Sequence, residues 1–323
     1  MGEEHLGEGL LPFVALARRL QSEMMGFRRT RGSAAGMSEG WARMLPAAVH
    51  GVGSARHQRW TLDDIPWQDV KRGVVAAEEE LLLLVASASF VEIATDIYAR
   101  NLLERFSGDK DVGFWLDHHW QHEELQHGRA LRRYVETAWP DFDWTGVHSS
   151  FFEEYSVTCK MEALEPTMAL EMASRCVVEM GTASYYTTLS RLSPEPVLRQ
   201  LAAFIAEDEV RHYKHFYRYF CRYRDQEEPG RARIALALWR RLKMIRDDDG
   251  YIAFKYIYEA RNPGELATRA AYRKARRRCK HVVSSHFPHE MSIKMLLKPL
   301  DLAPSTRRVA QTTLEALARR LVA

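Results

Sequence analysis

Apolar residues recur along most of this chain at intervals of three and four, the spacing that gathers them on one side of an α-helix. The stretch Val74 to Phe106 holds neither Gly nor Pro and predicts one long helix, opened by the acids and proline of Thr61-Leu62-Asp63-Asp64-Ile65-Pro66-Trp67. A second helix is expected over Asp111 to Glu136, a third over Thr167 to Leu192 and a fourth over Glu195 to Arg224, each closed by a proline-bearing segment. Helical spacing returns over Arg231 to Ala260, Glu265 to Lys280 and Ser305 to Val322. The period-two alternation of strands is scarce, so the class expected is all-α: a bundle over 61–228 with a C-terminal helical extension, 229–323, packed on it. Residues 1–60 join an amphipathic stretch, Leu10 to Met25, to a segment rich in Gly, Ser, Ala and Arg, Phe27 to Gly53, and read as a partly irregular N-terminal arm.

Four of these helices break their own pattern in the same way. The second carries Leu116, Trp120, Glu124, His127 and Leu131 on one face, and the fourth carries Ile205, Glu209, His212 and Phe216. Residues three apart share a helix face, so each Glu-x-x-His aims two polar side chains at one point in the middle of an apolar stripe. The first helix sets Glu92 among Leu81, Val85, Ala88, Ala99 and Leu103, and the third sets Glu179 among Met172, Cys176, Ala183 and Tyr186. A carboxylate buried in this way costs several kcal/mol unless it is paired or binds metal. One Glu-x-x-His arises easily by chance, but here the order Glu, then Glu-x-x-His, occurs twice at nearly equal spacing, which implies two half-sites. One Glu from each of two helices and a Glu-x-x-His from each of two others is the ligand set of carboxylate-bridged di-metal bundles. Four carboxylates balance two divalent ions, and mixed oxygen and imidazole donors suit iron, with manganese as the other candidate. Glu123 and Asp208, each next to a ligand glutamate, are expected to take the outer N–H of a ligating histidine across the bundle: Asp208 that of His127, and Glu123 that of His212. Asp96 is either a further group of this kind or the buried partner of an arginine.

Composition narrows the alternatives. With 46% hydrophobic residues the chain can bury a large core, and a net charge of +3 gives no general attraction to nucleic acid. The cysteines, Cys159, Cys176, Cys221 and Cys279, form no Cys-x-x-Cys, so no thiolate metal knuckle is encoded and a reducing cytoplasm fits them. The longest apolar run, Leu81 to Ala86, is far below the roughly 20 residues of a membrane span. Glu3, Glu4 and Glu8 precede the first apolar patch, which is not the order of a secretory signal, so the expected location is the cytoplasm.

Read in order, Glu123-Glu124-Leu125-Gln126-His127, Glu179-Met180-Gly181-Thr182 and Asp208-Glu209-Val210-Arg211-His212 give residues 75–225 a resemblance to the ferritin-like di-iron oxidases, and among them to the soluble acyl-carrier-protein desaturases. The resemblance implies a ferritin-like four-helix bundle with additional N- and C-terminal helices, two iron ions, O2 as co-substrate, and removal of hydrogen from an unactivated C–H bond. It gives Thr182, three residues after a bridging-type Glu179, a part in proton delivery. It also implies an external electron donor such as ferredoxin, and a dimer face on the first two helices. The basic run from Arg269 to Lys280 offers a docking surface for an acidic acyl carrier protein or ferredoxin. A di-iron N-oxygenase or hydroxylase of a small metabolite is the alternative within enzymes. An iron-handling or peroxide-scavenging protein, as in ferritins and rubrerythrins, is the alternative outside them.

Overall fold

A computed structural model describes residues 59–322, apart from 158, 160–163 and 248. The predicted N-terminal arm, with Leu10 to Met25 and Phe27 to Gly53, lies outside the described residues except for Arg59 and the buried Trp60. Among those described, every regular element is a helix, and Trp60 onward forms one compact unit.

Two helix pairs make the centre. In the first, α1 (Glu79–Ile93) lies against the helix that supplies the first Glu-x-x-His, here α4 (Gln121–Ala138). Between them run α2 (Thr95–Arg105), the short α3 (Lys110–Trp115) and a π-helical turn, Leu116–Trp120. After α5 (Trp144–Ser156) comes the second pair, the hairpin of α6 (Met168–Leu192) and α7 (Pro196–Glu227). Thr167 caps α6 by accepting from the Leu170 amide. Glu195, wholly buried in the hairpin turn, caps α7: its carboxylate accepts Leu198 N–H at 2.8 Å, Tyr134 O–H at 3.1 Å and Lys71 N–H at 3.3 Å. That one side chain fastens the α6–α7 turn to α4 and to the segment before α1.

The long first helix expected over Val74 to Phe106 is instead two helices bent by 40° at Ala94, preceded by a separate turn, Arg72–Val75. The cause is local. The Thr95 hydroxyl donates to the Glu92 carbonyl at 2.6 Å and is joined by Tyr98 Oη at 2.7 Å, so side chains supply bonds in place of the regular ladder. Gly128 fits the same point from α4. A Cβ there would lie 2.7 Å from the Ile93 amide nitrogen and 3.0 Å from the Glu92 carbonyl carbon. Near this end Gly128 meets Ile93, and near the other the Trp139 indole donates to the Val75 carbonyl at 3.1 Å, so α1 and α4 run antiparallel.

The C-terminal helices cover this centre. The single helix expected over Arg231 to Ala260 divides into α8 (Arg231–Asp247) and α9 (Asp249–Arg261), at a run of aspartates suited to capping a new helix. The helix expected from Glu265 begins later: α10 (Arg269–Ser284) starts where the Thr268 hydroxyl takes the Ala271 amide at 3.1 Å. The segments α5 and α11 (His289–Leu297) are helical without having been anticipated, and α12 (Pro304–Val322) completes the chain. Helices α8, α10 and α11 pack on α6, α9 packs on α1 and α5, and α10 also reaches α1.

Replacing Gly128 by Ala should push α1 away at the bend, at the overpacking cost of about 1–3 kcal/mol. Urea unfolding of the metal-free protein measures this; a variant as stable as the wild type would show that the close approach is not required.

Candidate metal centre

The bend in α1 falls just after Glu92, so this carboxylate leaves the last turn of α1 toward the middle of the bundle. Glu124 and His127 come from α4, immediately beyond the π-helical turn, a feature that shifts the register of a helix face by one residue and recurs at functional sites. In the α6–α7 hairpin, Glu179 stands 13 residues before Leu192 and Glu209 stands 13 residues after Pro196. They therefore reach the same level, and His212 follows on the same face as Glu209.

All six side chains meet, and none is more than 4% exposed. Their donor atoms form two groups, each within a 4.8 Å span: Glu92, Glu124, His127 and Glu209 in one, Glu124, Glu179, Glu209 and His212 in the other. Glu124 and Glu209 belong to both. The carboxylates common to both groups are the two that face each other from the Glu-x-x-His helices, whereas Glu179, expected to be of the bridging type, belongs to one group. His212 Nδ1 lies 2.9 Å from Glu124 Oε1, and His127 Nδ1 lies 3.3 Å from Glu209 Oε1. Two donors at right angles on an ion held at about 2.1 Å would stand about 3 Å apart. Four of these buried atoms, Glu124 Oε1, Glu209 Oε1, His127 Nδ1 and His212 Nδ1, make no hydrogen bond of proper geometry, although each imidazole nitrogen stands within ion-pair distance of a carboxylate. Leaving such atoms unsatisfied costs about 1–3 kcal/mol each, and a cation among them would satisfy all four. The donor set fits a metal ion, and Glu/His clusters of this kind could hold one at each group.

The outer nitrogens are fastened. Asp208 Oδ2 lies 3.1 Å from His127 Nε2, and Glu123 Oε2 lies 2.7 Å from His212 Nε2. Both carboxylates are joined by one guanidinium: Arg211 donates to Asp208 Oδ1 and, at 2.8 Å, to Glu123 Oε1. Asp208 also accepts the Trp60 indole N–H at 2.8 Å, and the Trp60 ring lies parallel to His127 at 6.1 Å. Each imidazole thus has its outer nitrogen held by an acid and its inner nitrogen turned to the centre, an arrangement that fixes the tautomer of a ligating histidine.

Crowding sets the protonation of the metal-free cluster. Burial, with the Glu209 charge added, raises Glu92, and burial with Glu209 and Glu92 raises Glu124 well above the ordinary carboxylate range. Burial pushes Glu179 up to about 8, against the opposing bond from His212. Burial would raise Glu209 too, but the imidazoles of His127 and His212 beside it hold it low. The two imidazoles are lowered by burial and more than restored by Asp208 and Glu209 on His127, and by Glu123 and Glu124 on His212, so both bind protons well above the usual histidine range. A metal ion entering this cluster has to displace protons.

Other candidates lie apart. Asp96 is exposed and accepts from Gln121 at 2.7 Å, so it neither touches the centre nor pairs with an arginine there. His118 and His122 are exposed, and His215 stacks on Trp115 at 4.9 Å. Thr182 Oγ1 donates to Glu209 Oε2 at 2.6 Å. Sequence reasoning passed over Arg211 and Trp60, and it read Tyr186 as a core aromatic, whereas its hydroxyl donates to Glu92 Oε1 at 2.5 Å. Arg211 had a visible signal, lying inside the second Glu-x-x-His one turn from Asp208; Trp60, 148 residues from Asp208, had none. A surface cleft of about 550 Å³ between Arg191 and Lys294 is lined by none of the six. No family model matches the chain, and no curated protein matches it.

Two outcomes test this geometry. Carboxylates with raised pKa values lend the metal-free fold stability that is full below their unfolded pKa of about 4.3 and is lost as pH rises through their folded values. For Glu179 that loss extends to about 8. The melting temperature of the metal-free protein should therefore fall between pH 5 and pH 8 (about the interval between those two values), while the rise on adding Mn(II) or Fe(II) grows; a rise independent of pH would contradict proton displacement. Asp208→Asn should weaken metal binding about 10- to 100-fold, the usual cost of losing such a partner, as read by calorimetric titration.

Proposed function

We propose that residues 61–228 are a ferritin-like bundle holding two iron ions, and that the protein is an O2-dependent oxidase acting on C–H bonds of a lipid-like or carrier-bound substrate, in the manner of the soluble acyl-carrier-protein desaturases. The observation that carries this reading is the pair of four-residue donor groups sharing Glu124 and Glu209. Iron held there would supply the redox chemistry with dioxygen that amino-acid side chains lack.

The surrounding residues suit that task. Glu124 and Glu209 are sealed from water, whereas Thr182 keeps part of its surface accessible while its hydroxyl rests on Glu209, which makes Thr182 Oγ1 a relay for protons to a shared carboxylate. The hydrogen-bonded line from His127 through Asp208 to Trp60 leads outward from the centre and offers a path for electrons from an external donor such as ferredoxin. On α10, the side chains of Arg269, Arg273, Lys274, Arg276, Arg277 and Lys280 are exposed and no acid interrupts them, a surface complementary to an acidic electron-transfer protein or an acidic acyl carrier protein.

Iron-loaded protein supplied with a reductant, air and a long-chain acyl carrier thioester should return a product lighter by one pair of hydrogen atoms, detected by mass spectrometry. A mineral core of many irons per chain after exposure to excess Fe(II) in air would contradict the oxidase reading and favour iron storage. Thr182→Val should keep the metal content and slow turnover by about 100-fold, the lower range for loss of a proton-transfer group.

A further inference from the structure

Tyr186 occupies an unusual place for a core aromatic. It follows Glu179 by two turns of α6, is 1% exposed, and directs its hydroxyl onto Glu92 Oε1 at 2.5 Å. Glu92 is the member of the six whose carboxylate accepts a phenol O–H, at Oε1. Tyr185 stands edge-on to it, ring centroids 5.3 Å apart and planes at 88°, and is tied by its own hydroxyl to the Leu84 carbonyl at 2.8 Å. The ring of Tyr186 is thereby held between α6 and α1, sealed from bulk solvent, an environment in which an oxidised phenol would persist.

Resting on the reading of the centre as a di-iron site, we propose that Tyr186 is a redox-active residue that gives one electron and one proton when the centre has been oxidised by dioxygen and no substrate is present. The electron passes from the phenol to the metal centre, which is reduced by one equivalent. The O–H bond breaks, and its proton goes to Glu92 Oε1 along the existing hydrogen bond. Tyr186 is left as a neutral phenoxyl, and Glu92 is protonated on Oε1. One oxidising equivalent is then held on a single buried ring rather than on the histidine ligands.

The experiment is freeze-quench electron paramagnetic resonance on the Fe(II)-loaded full chain mixed with dioxygen without substrate. An organic radical is expected whose hyperfine pattern narrows when the protein carries ring-deuterated tyrosine. The signal should be lost in Tyr186→Phe, at wild-type iron content, and kept in Tyr98→Phe and Tyr185→Phe. Iron that binds and oxidises without any tyrosine-derived signal would overturn the proposal, as would a signal unchanged in Tyr186→Phe. Absence of the deuterium effect in the wild type does so even if the variant fails to fold. Failure to take up iron at all is a different result: it removes the di-iron reading, and this inference with it.

Discussion

The constraint on which this structure depends is the burial of four carboxylates in one small volume. Each of Glu92, Glu124, Glu179 and Glu209 is nearly or wholly excluded from water, and their charges repel across a few ångströms in a low dielectric. Two protonated imidazoles compensate half of that charge, and raised proton affinities on the other carboxylates deal with the remainder. The proton-laden cluster is a substitute arrangement, with unbonded oxygen and nitrogen atoms facing one another. Two divalent cations would neutralise the carboxylates and bond those atoms at once.

Much of the fold is arranged to hold these groups in spite of their repulsion. Arg211 sets one positive charge between Asp208 and Glu123 and so couples the two histidines through a single guanidinium. The bend at Ala94 turns Glu92 inward, and Gly128 lets α4 close on that bend. Glu195 locks the hairpin that brings Glu179 and Glu209 level. Rigid positioning of this kind is what a metal centre needs, since ligands set by packing and by a second layer of hydrogen bonds keep their geometry through changes of charge.

The ligand cluster was legible because helical periodicity is regular: a glutamate in the middle of an apolar stripe can be assigned to the inside of a bundle from its position alone. The pairing of Asp208 with His127 and of Glu123 with His212 follows from the same symmetry. What could not be read depended on contacts between distant segments. The bend after Glu92 comes from a Thr hydroxyl competing for a carbonyl, which leaves the apolar spacing of α1 unchanged. The roles of Trp60 and Tyr186 depend on which helices become neighbours, and a core aromatic looks the same in sequence whether its polar end finds a carboxylate or not. The short helix α11 has no side-chain cap and leaves a weak signal, whereas α5 opens on Asp143, whose carboxylate takes the Gly146 amide, a cap that the sequence did offer.

The two donor groups imply that Glu92 and Glu179 would each serve one ion while Glu124 and Glu209 would serve both. Anaerobic titration with Fe(II), counting bound ions per chain, tests it most directly. The two donor groups predict two ions in the wild type, one each in Glu92→Ala and Glu179→Ala, and none retained tightly in Glu124→Ala. Fewer than one ion per wild-type chain, or full occupancy in Glu124→Ala, would contradict the two groups as a shared metal centre.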